Sequence, residues 1–183
     1  MKSVYFQIIE ELKQVAEQVE NEQVTSFIEA LKQAKRIFVC GEGRSGLMGK
    51  AFAMRLMHAG YPVYVTGETI TPSIQEGDLL VAISGSGNTP SVALVAEQAA
   101  NSNADVHLVT TNKESRIQKI ANHQVIVPAA TKHRRKEEPA TIQPMGNQFD
   151  QSVHLLLDGV VISMTSDEKD IHDLMKRNHA NLQ

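Results

Sequence analysis

The chain has a single cysteine, Cys40. An internal disulfide framework is therefore excluded, and a reducing compartment is expected. Cys40 ends an apolar run, where it reads as a small buried hydrophobe. A basic surplus is also missing: 18 Lys and Arg stand against 21 Asp and Glu, a formal charge of −3. Nucleic-acid proteins usually carry the opposite balance, so no nucleic-acid partner is expected. No apolar run approaches the ~18 residues of a membrane span. The first residues, with Glu10, Glu11, Glu17 and Glu20, are too acidic and too amphipathic for a signal peptide. The expectation is a cytoplasmic protein with no membrane partner. The seven histidines show no paired ligand spacing and there is no cysteine cluster, so no metal site is expected. Internal repeats and low-complexity tracts are absent, and 183 residues suffice for one domain with a sizeable core.

What is present alternates. Residues 3–20 read as a helix in which Tyr5, Ile8, Leu12, Val15 and Val19 recur three and four apart. This narrow seam can pack on the domain or pair with another subunit. A second helix is expected over 23–34, with Val24, Phe27, Ile28 and Leu31 inward. Short apolar runs follow at 37–40, 63–65, 79–83, 106–109 and 125–127, rich in strand formers. Helical stretches separate them. One ends at His58 before Gly60 and Pro62, one carries Val92, Val95, Ala96 and Ala99, and a short one over 116–121 is capped by Ser115. Near-continuous apolar strands alternating with helices mean parallel strands buried on both faces. The expected fold is α/β: a doubly wound, flavodoxin-like five-stranded parallel sheet in one domain over 1–183. Residues 1–34 form its N-terminal helical segment, 35–128 its sheet core and 142–183 its C-terminal helices. In the last of these, Phe149, Val153, Leu156, Leu157, Val160 and Val161 mark one helical face, and a polar helix follows over 167–178. The stretch 131–141, TKHRRKEEPAT, is polar and charged. Its basic residues, Lys132 to Lys136, are offset by Glu137 and Glu138, and it reads as a solvated loop rather than a basic patch.

Two strand ends carry the chemistry. The third strand runs into Ser84-Gly85-Ser86-Gly87-Asn88-Thr89, and a helical stretch leaves it. Glycines let backbone N–H groups approach closely, hydroxyls donate, and the helix N-terminus adds positive dipole. This is the composition of a loop that wraps an anion, so Ser84, Gly85, Ser86, Gly87, Asn88 and Thr89 are the expected phosphate ligands. The loop has no lysine, which excludes a Walker loop and disfavours a nucleoside triphosphatase. The first strand runs into GEGRSG, residues 41–46. There Ser45 can add a hydroxyl to the same phosphate, and Arg44 can reach the phosphate or sugar hydroxyls. No acidic residue closes the second strand to take a ribose, apart from Glu68, which follows a glycine into a loop, so a dinucleotide site is not expected.

SGSGNT after one strand and GEGRSG after an earlier one resemble the sugar isomerase (SIS) domain family. The blocks GRSGLMGKAFAMRLMHAG, VTGETITPSIQEGDLLVAISGSGNT, IQPMGNQFDQS and HANLQ, in that order, resemble the 6-phospho-3-hexuloisomerases within it, over most of the chain from Ile37 onward. The resemblance implies interconversion of 3-hexulose 6-phosphate and fructose 6-phosphate, in formaldehyde fixation by the ribulose monophosphate route. It implies a small-molecule sugar phosphate as ligand and 3-hexulose-6-phosphate synthase as a functional partner. Moving the carbonyl from C3 to C2 passes through an enediolate, which needs a base and oxyanion donors but no redox cofactor. The family's base is a glutamate shortly after the PMG block, and the matching position here is Asp150, shorter by one methylene. The resemblance also points to His179, ahead of Ala-Asn-Leu, and to Glu68 in the GET block for acid–base work. A terminal histidine reaches an active site most easily across a subunit boundary, so a homo-oligomer, dimer or tetramer, is expected. A non-catalytic sugar-phosphate sensor and an isomerase of another sugar phosphate are the alternatives, the sensor favoured by the change to Asp150.

Overall fold

The computed structural model describes residues 1–182. Five strands, β1 Ile37–Gly41, β2 Val63–Val65, β3 Leu79–Ile83, β4 Asp105–Thr110 and β5 His123–Ile126, pair in parallel in the order β2-β1-β3-β4-β5. This is the expected doubly wound sheet. Alternate strand residues face opposite layers, as the pleat requires. Ile37, Val39, Leu79, Val81, Ile83 and Val109 pack on one side, and Phe38, Cys40, Leu80, Ala82, Val106 and Leu108 on the other. Cys40 is buried and free, and burial pushes its thiol up to about 12.

Among the described residues, six helices cover the faces: α1 Lys2–Ala16, α2 Asn21–Gln33, α3 Gly43–His58, α4 Pro90–Asn101, α5 Asn147–Thr165 and α6 Ile171–Arg177. The first core contains Phe27 and Leu31 of α2, Phe52 and Leu56 of α3, and Phe149, Val153, Leu157 and Val160 of α5. Val92, Ala93, Ala96 and Ala99 of α4 fill the second. Small side chains on α4 let it sit close to the sheet, and Pro90 at its start has no N–H to leave unpaired.

The seam on α1 is divided. Val15 is buried and Ile8, Leu12 and Val19 are half-buried, while Tyr5 is 64% exposed, with Val4, Phe6 and Ile9 exposed beside it. The C-terminal half packs on the domain and the N-terminal half projects.

Three local expectations are corrected. The helix after β1 begins at Gly43, so Arg44, Ser45 and Gly46 lie in its first turn instead of a preceding loop. Gly43 takes φ +56°, and a Cβ on Gly46 would stand 2.6 Å from the Gly41 carbonyl oxygen, so glycine permits this tight entry. Residues 116–121 form turns and no helix. Ser115 does cap them, its Oγ accepting from the Gln118 N–H at 3.2 Å, but Asn122 is drawn away to hold the start of β4, accepting from the Val106 N–H at 2.8 Å. The stretch 131–141 is not a merely solvated loop. Thr131 is buried, and the Glu138 carboxylate, 4% exposed, accepts from the Thr131 N–H at 2.8 Å and its hydroxyl at 2.7 Å.

Candidate active site

The chain leaves β1 toward β2 and leaves β3 toward β4, so the carboxyl ends of β1 and β3 mark the switch point of the sheet. Doubly wound folds bind ligands there. Both glycine loops open at this crevice, beneath a cavity of about 780 Å³. Arg44 and Ser45 line one wall, and Gly85, Ser86, Asn88 and Thr89 line another. The start of α5 closes a third with Phe149 and Asp150.

The Ser/Gly loop is held by its own polar groups. The Gly87 N–H donates to the Ser84 carbonyl at 3.0 Å, the Asn88 N–H to Ser86 Oγ at 3.1 Å, and the Ser84 and Thr89 hydroxyls lie 2.8 Å apart. Ser84 is buried behind the loop and orients Thr89; it does not line the cavity. Gly87 also sits behind, at φ +65°, where a Cβ would collide with the Ser115 hydroxyl. Thr89 is the residue before α4, so the loop ends on that helix's positive N-terminus.

Gly85 joins the loop to α5. A Cβ there would stand 3.1 Å from the Phe149 ring. The missing side chain lets Phe149 rest on the loop, and the next residue, Asp150, faces the first turn of α3. Ser45 Oγ donates to Asp150 Oδ1 at 2.8 Å, and Arg44 Nε lies 3.7 Å from Oδ2. Asp150 is 6% exposed. Burial pushes its carboxyl above the usual aspartate range, opposed by the hydrogen bond from Ser45 and the charge of Arg44. A carboxylate so placed, with two donors alongside, is equipped to exchange a carbon-bound proton. Ser45 is thus engaged by the carboxylate.

Of the eleven site residues read from the sequence, Arg44, Ser45, Gly85, Ser86, Asn88, Thr89 and Asp150 share one cavity. Glu68 and His179 do not line it. Glu68 is exposed and pairs with Lys50 at 3.9 Å. His179 stacks on His58, ring centroids 5.2 Å apart, at the far end of α3 from Arg44. Fourteen residues of helix separate Arg44 from His58, roughly 21 Å.

Gly41, Gly43 and Gly46 have the G-x-G-x-x-G spacing of dinucleotide loops. Placement argues against that ligand. Glu42, the residue before α3, brings a negative charge to that loop and accepts from Ser91 Oγ at 2.8 Å, and the Glu68 carboxylate is directed to Lys50. Among the described residues no group of three or more His, Cys, Asp or Glu is arranged to hold a metal ion. No helix among them is long and apolar enough to cross a membrane.

Sequence reasoning missed Asn147, whose Oδ1 accepts from Arg44 Nη1 at 2.5 Å, and the cavity wall formed by Thr131, Lys132, His133 and Arg135. Asn147 carried no signal. The basic wall did, in the run Lys132 to Lys136, but its near-neutral balance concealed it.

A sheet of this order with a Ser/Gly loop at its switch point defines a class, and the SIS domain family matches residues 30–144; the chain belongs to that family. Within it the chain is 37% identical to the 3-hexulose-6-phosphate isomerase of Bacillus subtilis, over 97% of this chain and 96% of that protein. It is 39% identical to the 3-hexulose-6-phosphate isomerase of Mycobacterium gastri, over 95% and 87%. A solved structure from Methanococcus jannaschii, for which a molecular function of 3-hexulose-6-phosphate isomerase is inferred, superposes with a TM-score of 0.83 at 32% identity, covering 99% of this chain and 98% of that one.

Proposed function

We propose that the protein is a ketol isomerase that interconverts 3-hexulose 6-phosphate and fructose 6-phosphate. The observation that carries this reading is the buried Asp150 carboxylate facing Arg44 and Ser45 in one cavity with an anion loop. The names of the relatives in Bacillus subtilis and Mycobacterium gastri support the substrate.

The loop residues Ser86, Asn88 and Thr89 hold the phosphate, and the sugar extends toward α5. Asp150 takes the C2 proton of the 3-ketose, and the electron pair forms the C2–C3 double bond of an enediolate. Arg44 stabilises the oxygen that gains charge. Asp150 returns the proton to C3, and a proton passes from O2 to O3, leaving the carbonyl at C2. Hydrogen moves within one molecule, so electrons balance without an oxidant. Glu68 and His179 lie outside their own cavity, and their acid–base role requires a neighbouring copy. The exposed Val4, Tyr5, Phe6 and Ile9 offer a subunit contact, consistent with a homo-oligomer. In this reading the substrate, 3-hexulose 6-phosphate, is what 3-hexulose-6-phosphate synthase makes, so the enzyme follows that synthase in the ribulose monophosphate route. A cytoplasmic setting suits the one free, buried cysteine.

Incubation with carbon-labelled fructose 6-phosphate, followed by NMR, tests this. Formation of the 3-ketose is expected. Formation of an aldose phosphate alone would assign the protein to a different isomerase reaction.

A further inference from the structure

The Ser/Gly loop meets its anion with hydroxyls and amides and has no cation of its own. The opposite wall of the same cavity carries Lys132, His133 and Arg135. We propose that the strap 131–141 supplies the cationic half of the phosphate site: Lys132 and Arg135 pair with the phosphate held by Ser86, Asn88 and Thr89, and Glu138 is the positioning residue that sets Arg135. The proposal rests on the reading of this cavity as a sugar-phosphate site.

Arg135 is fixed in place. Its Nε donates to Glu138 Oε1 at 3.0 Å and its Nη2 to Thr111 Oγ1 at 2.7 Å. Thr111 Oγ1 in turn donates to the Gly85 carbonyl at 2.9 Å, so the guanidinium is tied to the anion loop itself. Nη1 makes no hydrogen bond among the described residues and stays available to a ligand. The strap is braced on both flanks. Arg134 donates to the carbonyls of Thr131 and Gln143, and Glu11 of α1 accepts from Thr141 Oγ1 at 2.6 Å and the Ile142 N–H at 2.9 Å. Lys132 is exposed and forms no ion pair among the described residues. An anchored Arg135 with an exposed Lys132 beside it gives one directional and one diffuse positive charge, the complement to a phosphate group.

Calorimetric titration of fructose 6-phosphate into the wild type, four single variants and one double variant, at low and moderate salt, tests this; thermal melts confirm folding. Thr89→Val should weaken binding and reports on the anion loop alone. Arg135→Gln should weaken it about tenfold. Lys132→Gln, at an exposed position where folding is unaffected, should weaken it about threefold and flatten the salt dependence. Glu138→Gln should weaken binding in the wild type and have no further effect when Arg135 is already Gln, which a merely structural role would not produce. Wild-type affinity and salt dependence in Lys132→Gln and Arg135→Gln, with Thr89→Val weakened, would overturn the strap's role and leave the cavity's assignment standing. Wild-type affinity in Thr89→Val would defeat that assignment itself.

Discussion

At the residue scale the chemistry turns on Asp150. Its type and position in the chain were legible, but its burial and its bond to Ser45 were not, because they depend on α5 meeting the first turn of α3 more than a hundred residues away. The upward shift of its pKa, caused by burial, has a definite consequence for stability. The native state holds the Asp150 proton more tightly than the unfolded chain, so ionising it costs stability as pH rises through this range. Asp150→Asn should therefore lower kcat by about 10²–10⁴ while raising Tm at neutral pH, a pair of changes measured by steady-state assay and calorimetry. The acid limb of the wild-type rate profile should lie above the usual aspartate range, since the base must be ionised to act. Asp150→Glu should keep or increase turnover; complete loss would mean that the buried position does not admit the longer side chain.

At the element scale, periodicity located every strand and most helices because each buries an apolar face. It failed where polar contacts decide the path. Residues 116–121 have a helix's cap but lose their continuation to β4, and the strap 131–141 is built from ion pairs that no hydrophobic pattern announces. The G-x-G-x-x-G spacing of residues 41–46 likewise does not decide the ligand by itself; the contacts of Glu42 with Ser91 and of Glu68 with Lys50 are seen only in the folded chain. The Ser/Gly loop behaves as an element too. Gly87 combines a positive φ with no room for a Cβ beside Ser115. Gly87→Ala should cost about 1–3 kcal/mol and reduce phosphate affinity, read by denaturant unfolding and by titration with inorganic phosphate.

At the scale of the whole molecule, the position of His179 was not legible from its motif. The histidine lies at the other end of α3 from Arg44, beside His58. If each site joins Asp150 of one subunit to His179 of another, two inactive variants should complement. Co-expression of Asp150→Asn with His179→Ala should restore about a quarter of wild-type activity by random pairing in a dimer, and no recovery would confine each site to one chain. The central claim is proton exchange at the C2–C3 bond of a sugar held by its phosphate. Fructose 6-phosphate in deuterated water, followed by proton NMR, tests it most directly. Deuterium should enter at C3 with the wild type and fail to enter with Asp150→Asn. Exchange at C1 alone, or binding with no exchange, would contradict it.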